Sequence, residues 1–291
     1  MIRFSKYIWL YAFLSALVLV PGIFSLIRWG LRPSVDFTGG TLLEIRFSQA
    51  VDTQTVSAIV SQQSLPVQSI QKSSQNTFLL RSKPIEGFTI GTFVAKAASV
   101  SGKTVEVIRN ETVGPILGKE LLTKAVIAAL CAIVAILFYV AYAFKNIKYG
   151  VSAVIALFHD LLVVLGCFSL LGHFLQIEVD TLFVTAFLTT MSFSVHDTIV
   201  VFDRIRELVG KGERMSFEEM SDRALTETMG RSLTNSFTIL FMLVALILLG
   251  GETIRWFVAA LLIGTVSGTY SSPFIATPVL ILWHQWERKK K

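Results

Sequence analysis

Residues 181–207 read TLFVTAFLTTMSFSVHDTIVVFDRIRE. From Thr181 to Phe202 the only charged side chain is that of Asp197. About 20 apolar residues, rising ~1.5 Å each, let a helix cross the hydrocarbon of a bilayer. The stretch therefore predicts a transmembrane helix over 181–202 that runs on without a breaker to about Glu207. Asp197 lies well inside it, toward the cytoplasmic half. A charge at the bilayer centre costs at least about 2.5–3.5 kcal/mol on insertion scales. Thr190, Ser194 and Asp197 stand at i, i+4 and i+7, which puts them on one helix face. Hydrocarbon offers such a stripe no partner, so it must face another helix or a hydrated cavity.

Five further stretches have the same length and polarity: 7–27, 125–144, 149–172, 232–250 and 256–283. Together they predict an α-helical polytopic membrane protein with six transmembrane helices. The composition agrees, with 53% hydrophobic and only 16% charged residues, against about 25% charged in soluble domains. The first span follows Arg3 and Lys6 like a signal peptide. Its apolar run is longer than a typical h-region and no small-residue cleavage site follows, so it reads as a retained anchor. Six spans put both termini on one side. That side holds Arg3, Lys6, Lys145, Lys148, Arg204, Arg206, Lys211, Arg214, Arg223, Arg231, Arg288 and Lys289 to Lys291, while the short loops opposite hold only Arg255; around the first span Arg28 and Arg32 balance Arg3 and Lys6, so the later loops decide. Basic residues gather in cytoplasmic loops, so both termini are expected in the cytoplasm. The net charge of +6 is thereby read as topology and not as nucleic-acid binding. Cys131 and Cys167 lie in apolar runs, where free thiols behave as small hydrophobes.

Residues 1–28 are thus expected to form the first helix, 29–123 an extracytoplasmic α+β domain, and 124–291 helices two to six with a cytoplasmic loop near 208–230. In the insert, Leu43, Ile45 and Phe47 alternate with Leu42, Glu44 and Arg46 in a strand over 41–47. Asp52–Gln63 reads as a helix capped by Asp52 or Thr53. Strands follow over 67–71 and 77–81 around a Ser73-Ser74-Gln75-Asn76 turn. A helix over 88–100 and a strand over 104–109 complete a β-α-β-β-α-β order, the ferredoxin-like pattern. Gly39-Gly40 reads as a turn before the first strand. No phosphate-cradling glycine loop, zinc-ligand spacing or nucleophile elbow is present, so neither an enzyme, a metal site nor a cofactor is expected.

Asp160, in the third span, is the second acidic residue at membrane depth. Each of the two follows a histidine, His159 and His196, which read as hydrogen-bonded core residues. For both carboxyls a helix-locking hydrogen bond competes with a role in moving protons or ions. Arg231, ahead of the polar run Ser232 to Thr238, either snorkels to the interface or pairs with an intramembrane carboxylate. Burial would favour that carboxylate's neutral form and the arginine its charged form. Gly264 and Gly268 form a small-xxx-small pair for close helix packing. Pro273 and Pro278 are expected to kink the last span. Asp203, Arg204, Arg206 and Glu207 read as the wet end of the fourth helix.

The chain resembles the SecF family of protein-export membrane proteins. The resemblance is carried by Val35-Asp36-Phe37-Thr38-Gly39-Gly40, by Glu111-Thr112-Val113-Gly114-Pro115 with Gly118, Glu120 and Leu121, and by 197–207 with Asp203 and Arg204. Arg231-Ser232-Leu233-Thr234 and Gly268-Thr269-Tyr270-Ser271-Ser272 complete it, in order, on the expected spans. The resemblance implies a multi-pass protein of the bacterial cytoplasmic (inner) membrane that pairs with SecD in a body of the resistance-nodulation-division superfamily. It implies association with the SecYEG channel, handling of a translocating preprotein, and use of the proton-motive force. Asp197 would be the proton-carrying carboxylate and Arg231 its basic partner, with His196, Asp160 and Ser194 as relay candidates. The family commonly has Asn before that Asp, and this chain has His196. The coupling ion is expected to be H⁺, with Na⁺ the alternative. Two other readings stay open: a transporter of the same superfamily exporting a lipid or small molecule, and a non-transporting assembly protein.

Overall fold

In a computed structural model, which describes residues 3–62, 67–72, 75–83, 88–211 and 215–290, six helices are long and apolar enough to cross a membrane. A 3₁₀ turn over Phe4–Tyr7 leads into α1 (Ile8–Arg28). A short helix α2 (Val35–Thr38) precedes β1 (Gly40–Phe47), α3 (Thr53–Gln62), β2 (Val67–Lys72), β3 (Thr77–Ser82), α4 (Phe88–Ser101) and β4 (Val105–Val113). The long helices α5 (Pro115–Phe144), α6 (Ile147–Leu175), α7 (Thr181–Gly210) and α8 (Phe217–Leu249) follow. The last span is α9 (Glu252–Ser271), a π-helical turn over Ser272–Ala276, and α10 (Thr277–Lys290). The chain divides into two units, one of Met1–Arg32 with Ile127–Lys291 and one of Pro33–Val126.

Several boundaries differ from the sequence reading for one reason: apolar length marks the membrane, not the end of the helix. The expected loop near 208–230 is mostly helix. α7 continues to Gly210 and α8 starts at Phe217, where Ser216 and Glu219 form a reciprocal capping box. That S-x-x-E signal was legible in the sequence. Residues 212–214, with Arg214, lie outside the described residues, as do Gln63, Ser73-Ser74 and Lys291. α5 begins at Pro115, inside the segment assigned to the soluble insert. Where a kink at Pro273 and Pro278 was expected, Pro273 lies in the π turn and Pro278 in the first turn of α10.

The sheet of the smaller unit is antiparallel throughout, in the order β2-β3-β1-β4. Leu43, Ile45 and Phe47 of β1 join Phe78, Val56, Ile59 and Phe93 in its core, as the alternation predicts. Leu42 and Glu44 are also buried, so the opposite face is covered over half its length. β4 runs four residues past the expected end, because Glu111-Thr112-Val113 continues the ladder on Leu42, Thr41 and Gly40. Two of the family-like motifs therefore meet in the ladder at Gly40 and Val113, and beside them the Thr41 and Thr112 hydroxyls lie 2.9 Å apart. Gly40 has φ +139°, and a Cβ there would lie 2.7 Å from the Ser82 carbonyl oxygen. No other residue fits that turn without strain.

In the larger unit α6 is the most enclosed helix, with 56% of its apolar window buried, against 6% for α5 and 11% for α8. It meets α1 at Gly22 and Gly166, where a Cβ on Gly166 would approach Gly22 Cα to 2.6 Å. One turn further on, Ser25 donates to Ser169 at 2.6 Å and Ser169 donates to the Gly30 carbonyl at 2.7 Å. Close backbones and cross-helix hydroxyls are what hold helices together where hydrophobicity gives no preference over lipid.

Candidate functional site: two buried carboxyls among the membrane helices

The polar stripe of α7 faces α9, and glycines on α9 make room for it. A Cβ on Gly264 would overlap the Thr190 side chain, lying 2.7 Å from its Cβ, and one on Gly268 would lie 3.0 Å from Ser194 Cα. Thr190, Ser194 and Asp197 are all buried. We expect Gly264→Ala to cost about 1–3 kcal/mol through overpacking. Gly91→Ala on α4, where a Cβ meets open space, should be neutral or mildly stabilising. Thermal unfolding of the detergent-solubilised protein checks the opposite signs.

The stripe does not converge on a single carboxyl. Ser194 turns away from Asp197 and donates to Asp160 Oδ2 at 2.6 Å. Ser271 of α9 donates to the same oxygen at 2.6 Å, and Ser267 donates to Oδ1 at 2.6 Å. His159 Nδ1 stands 3.0 Å from Oδ1. A carboxylate has about four lone-pair sites, and here four polar neighbours from α6, α7 and α9 occupy them. Asp160 is 2% exposed, so three helices meet on one fully enclosed acidic group. Ser271 was singled out by motif. Ser267 was missed, although its i, i+4 spacing to Ser271 beside Gly264 and Gly268 was a readable signal. The π turn starts directly after Ser271. π bulges of this kind recur at functional sites. Ser272 meets Thr198 of α7 at 2.9 Å, and Thr277 donates to the Ser272 carbonyl at 3.1 Å.

Asp197 faces the α8 side instead. Its carboxyl is buried, Ser232 supplies a side-chain contact, and His196 and Arg231 lie in its neighbourhood. Both are exposed. Among the described residues no ion pair within 4 Å joins Arg231 to Asp197. Asp197 forms part of the wall of two cavities. The larger, about 290 Å³, also touches Val201, Leu225, Met229, Ser232 and Phe274. The smaller, about 20 Å³, also touches His196, Asn235, Ser236, Thr265 and Thr269. Between them Ser236 donates to Thr269 at 2.7 Å, and Thr269 donates to the Thr265 carbonyl at 2.8 Å.

The charged end of α7 forms an ion network with α8. Arg204 bridges Glu207 and Glu227, Arg223 pairs with Glu227, Lys211 with Glu207, and Arg206 with Asp203. These groups are largely exposed, each pair contributing about 0–1 kcal/mol, as suits a wet helix end. Arg206 also caps the Ala143 carbonyl of α5 at 2.9 Å. Asp222, which the sequence reading passed over, is 2% exposed and accepts from both the backbone N–H and the hydroxyl of Ser5, at 2.8 and 2.7 Å. It ties the N-terminal turn to α8 over 217 residues of sequence, a distance at which no local pattern gives warning.

Of the remaining motif positions, Asp36 is buried behind an N-terminal cap by Ser34. Gly39 ends α2, and Gly114-Pro115 opens α5. Gly118 brings α5 against the Asp36 and Phe37 carbonyls, which a Cβ would approach to 2.9 Å. Glu111 pairs with Arg109 at 2.7 Å.

Comparison with known proteins gives a consistent result. The profile of the family described as protein export membrane protein SecD/SecF, C-terminal, matches residues 93–286, and that of the SecD/SecF GG motif matches 24–51. The chain is 40% identical to the protein translocase subunit SecF of Thermobaculum terrenum, over 94% of this chain and 92% of that one. It is 37% identical to that of Anaerolinea thermophila, over 96% and 93%. Among solved structures it is similar to SecDF, a translocon-associated membrane protein of Thermus thermophilus, with a TM-score of 0.87 and 30% identity over 98% of this chain. A SecDF structure in a super-membrane-facing form gives 0.69 at 29% identity. The chain spans 39% of the length of those SecDF chains.

Proposed function

The chain belongs to the SecF family of protein-export membrane proteins, and from that membership we propose that it serves, with SecD, as a non-enzymatic subunit that assists preprotein translocation through the SecYEG channel of the bacterial cytoplasmic membrane. The SecF relatives and the SecDF likeness support this reading. So do the two long helices with mostly uncovered apolar faces, α5 and α8, which leave room for a partner's membrane helices. We read both termini and the α7–α8 ion network as cytoplasmic, from the distribution of basic residues. We read the smaller unit as a ferredoxin-like domain outside the membrane, from its β-α-β-β-α-β order. No resident cofactor is required, because the driving ion is H⁺, with Na⁺ as the alternative.

The observation that carries the mechanism is Asp197, a carboxyl enclosed among membrane helices and lining two cavities. We assign it the role of taking up and releasing the driving proton. Arg231 and His196 tune it by charge, acting at longer range than an ion pair. Asp160 and Ser194 serve as the pivot that keeps α6, α7 and α9 in register while α8 responds. One proton moving through 100 mV supplies about 2.3 kcal/mol, enough for a roughly 50-fold bias between two arrangements. A purely structural role, the competing reading, fits the fully bonded Asp160 better than Asp197.

Gentle solubilisation and co-purification test the assignment. Recovery of SecD and SecYEG with the full chain is the expected result. Recovery instead of a periplasmic adaptor or an outer-membrane channel would overturn it in favour of a lipid or small-molecule exporter.

A further inference from the structure

We propose that the small polar cavity beside Asp197 is a binding site for a single water molecule, held between the Asp197 carboxyl and the Thr265 hydroxyl, and that this water hands protons to and from Asp197. The inference rests on the proton-carrying role of Asp197 and adds the group that delivers to it. The cavity volume is about 20 Å³, and one water needs roughly 10–15 Å³ measured in this way. Its wall is polar where it matters, with Asp197, His196, Asn235, Ser236, Thr265 and Thr269. A buried water makes about three hydrogen bonds, and this wall offers more than that.

A second, independent observation points into the same space. Thr265 is 4% exposed, and its hydroxyl has no hydrogen-bond partner among the described residues. The neighbouring hydroxyls are engaged: Ser236 with Thr269, and Thr269 with the Thr265 backbone carbonyl. Buried polar groups are nearly always satisfied, and an exception calls for a specific explanation such as an ordered water. Thr265 Oγ1 is the one wall hydroxyl left over, and a water in the cavity satisfies it.

Along α7 the two cavities reach different sides of Asp197, while along α8 and α9 their walls overlap. Phe193, Ile239 and Thr265 place the small one toward the N-terminal end of α7. Val201, Leu225 and Phe274 extend the large one toward its C-terminal end, and Leu240 and Val266 bring part of it level with the small one. Asp197 lines both, with Ser236 and Thr269 also shared by both walls. A proton reaching the small cavity meets the water before the carboxylate. The water accepts it, passes one proton to Asp197 and is regenerated, so each transfer moves one proton and consumes nothing. The Thr265 hydroxyl fixes the water's orientation, which makes Thr265 a positioning residue.

Thr265→Val removes the hydroxyl and keeps the shape, whereas Thr265→Ser keeps the hydroxyl. In membrane vesicles containing the full translocation complex, Thr265→Val is expected to slow proton-gradient-stimulated export about five-fold or more, the size of one lost hydrogen bond. Thr265→Ser is expected to restore it. Infrared difference spectra supply a readout that packing alone would not move. A water O–H stretch that shifts in H₂¹⁸O should be present in the wild type and Thr265→Ser, and absent in Thr265→Val. A wild-type rate and an unchanged water band in Thr265→Val would overturn the water site while leaving Asp197 in its role. A Thr265→Val defect confined to a sodium gradient would overturn it as well, since the cavity would then hold a cation. If Asp197→Asn itself exports normally under a proton gradient, the underlying reading fails, whatever Thr265 does.

Discussion

Asp197→Asn should assemble with its partners at wild-type levels and lose the whole proton-driven component of export. Asn has nearly the same volume, so the walls of both cavities keep their shape, and its amide can still meet Ser232. What disappears is the ability to exist in two charge states. A gradient of about 100 mV acting on one proton is worth about 2.3 kcal/mol, or roughly 50-fold in the balance between two arrangements. A neutral, non-titrating side chain forfeits all of it. The measurement is preprotein export into inverted membrane vesicles under an imposed proton gradient, with the gradient-free rate as baseline and co-purification as the folding control. Running a sodium gradient in parallel identifies the ion. Wild-type stimulation in the Asn variant would remove the basis for any ion-coupled reading of this bundle.

Asp160→Ala is expected to act on stability. It deletes the acceptor shared by Ser194, Ser267 and Ser271 and leaves the side chain of His159 with neither nitrogen bonded, its Nε2 being without a partner already. Ser271 has a weak fallback in the Gly268 carbonyl at 3.3 Å. Among the described residues the Ser194 and Ser267 hydroxyls make no other hydrogen bond. Hydrogen bonds between membrane helices average about 0.6 kcal/mol, and a buried orphan costs about 1–3 kcal/mol. The loss should therefore fall between roughly 2 and 6 kcal/mol, seen as a lower unfolding temperature in detergent and reduced accumulation in membranes. Asp160→Asn should fall between, because an amide offers one acceptor oxygen where the carboxylate offers two. An Ala variant that unfolds at the wild-type temperature would mean that the three serines are held by something else.

The pair of predictions separates two residues that look alike in the sequence. Both are aspartates after a histidine, both sit in an apolar run, and either reads as a proton carrier or a helix lock. The fold distinguishes them by their surroundings. Asp160 is saturated by polar partners and lines neither cavity, whereas Asp197 has a side-chain contact with Ser232 and lines both. Ser194 illustrates the limit of pattern reading. Its i, i+3 relation to Asp197 correctly marked a buried polar face, yet the two side chains diverge to different neighbours. The Arg231 pairing is similar: among the described residues no ion pair within 4 Å joins it to Asp197. By contrast, the strand alternation in β1, the stop at Gly39-Gly40 and the exposed end at Asp203 to Glu207 were legible, because each depends on residues close together in the chain.

Six helices long and apolar enough to cross a membrane, a small α+β unit between the first two, and an acidic group buried in the fourth follow from this sequence alone. They follow because transfer into hydrocarbon and strand or helix periodicity act on each segment separately, and a charge inside such a segment is costly wherever its neighbours are. Which acid is bonded and which is left beside open space was decided only in three dimensions. That outcome depends on how closely α7 and α9 approach at Gly264 and Gly268, and on serines brought to Asp160 from 34, 107 and 111 residues away. Packing distance and helix rotation are properties of the assembled bundle, and no single segment encodes them.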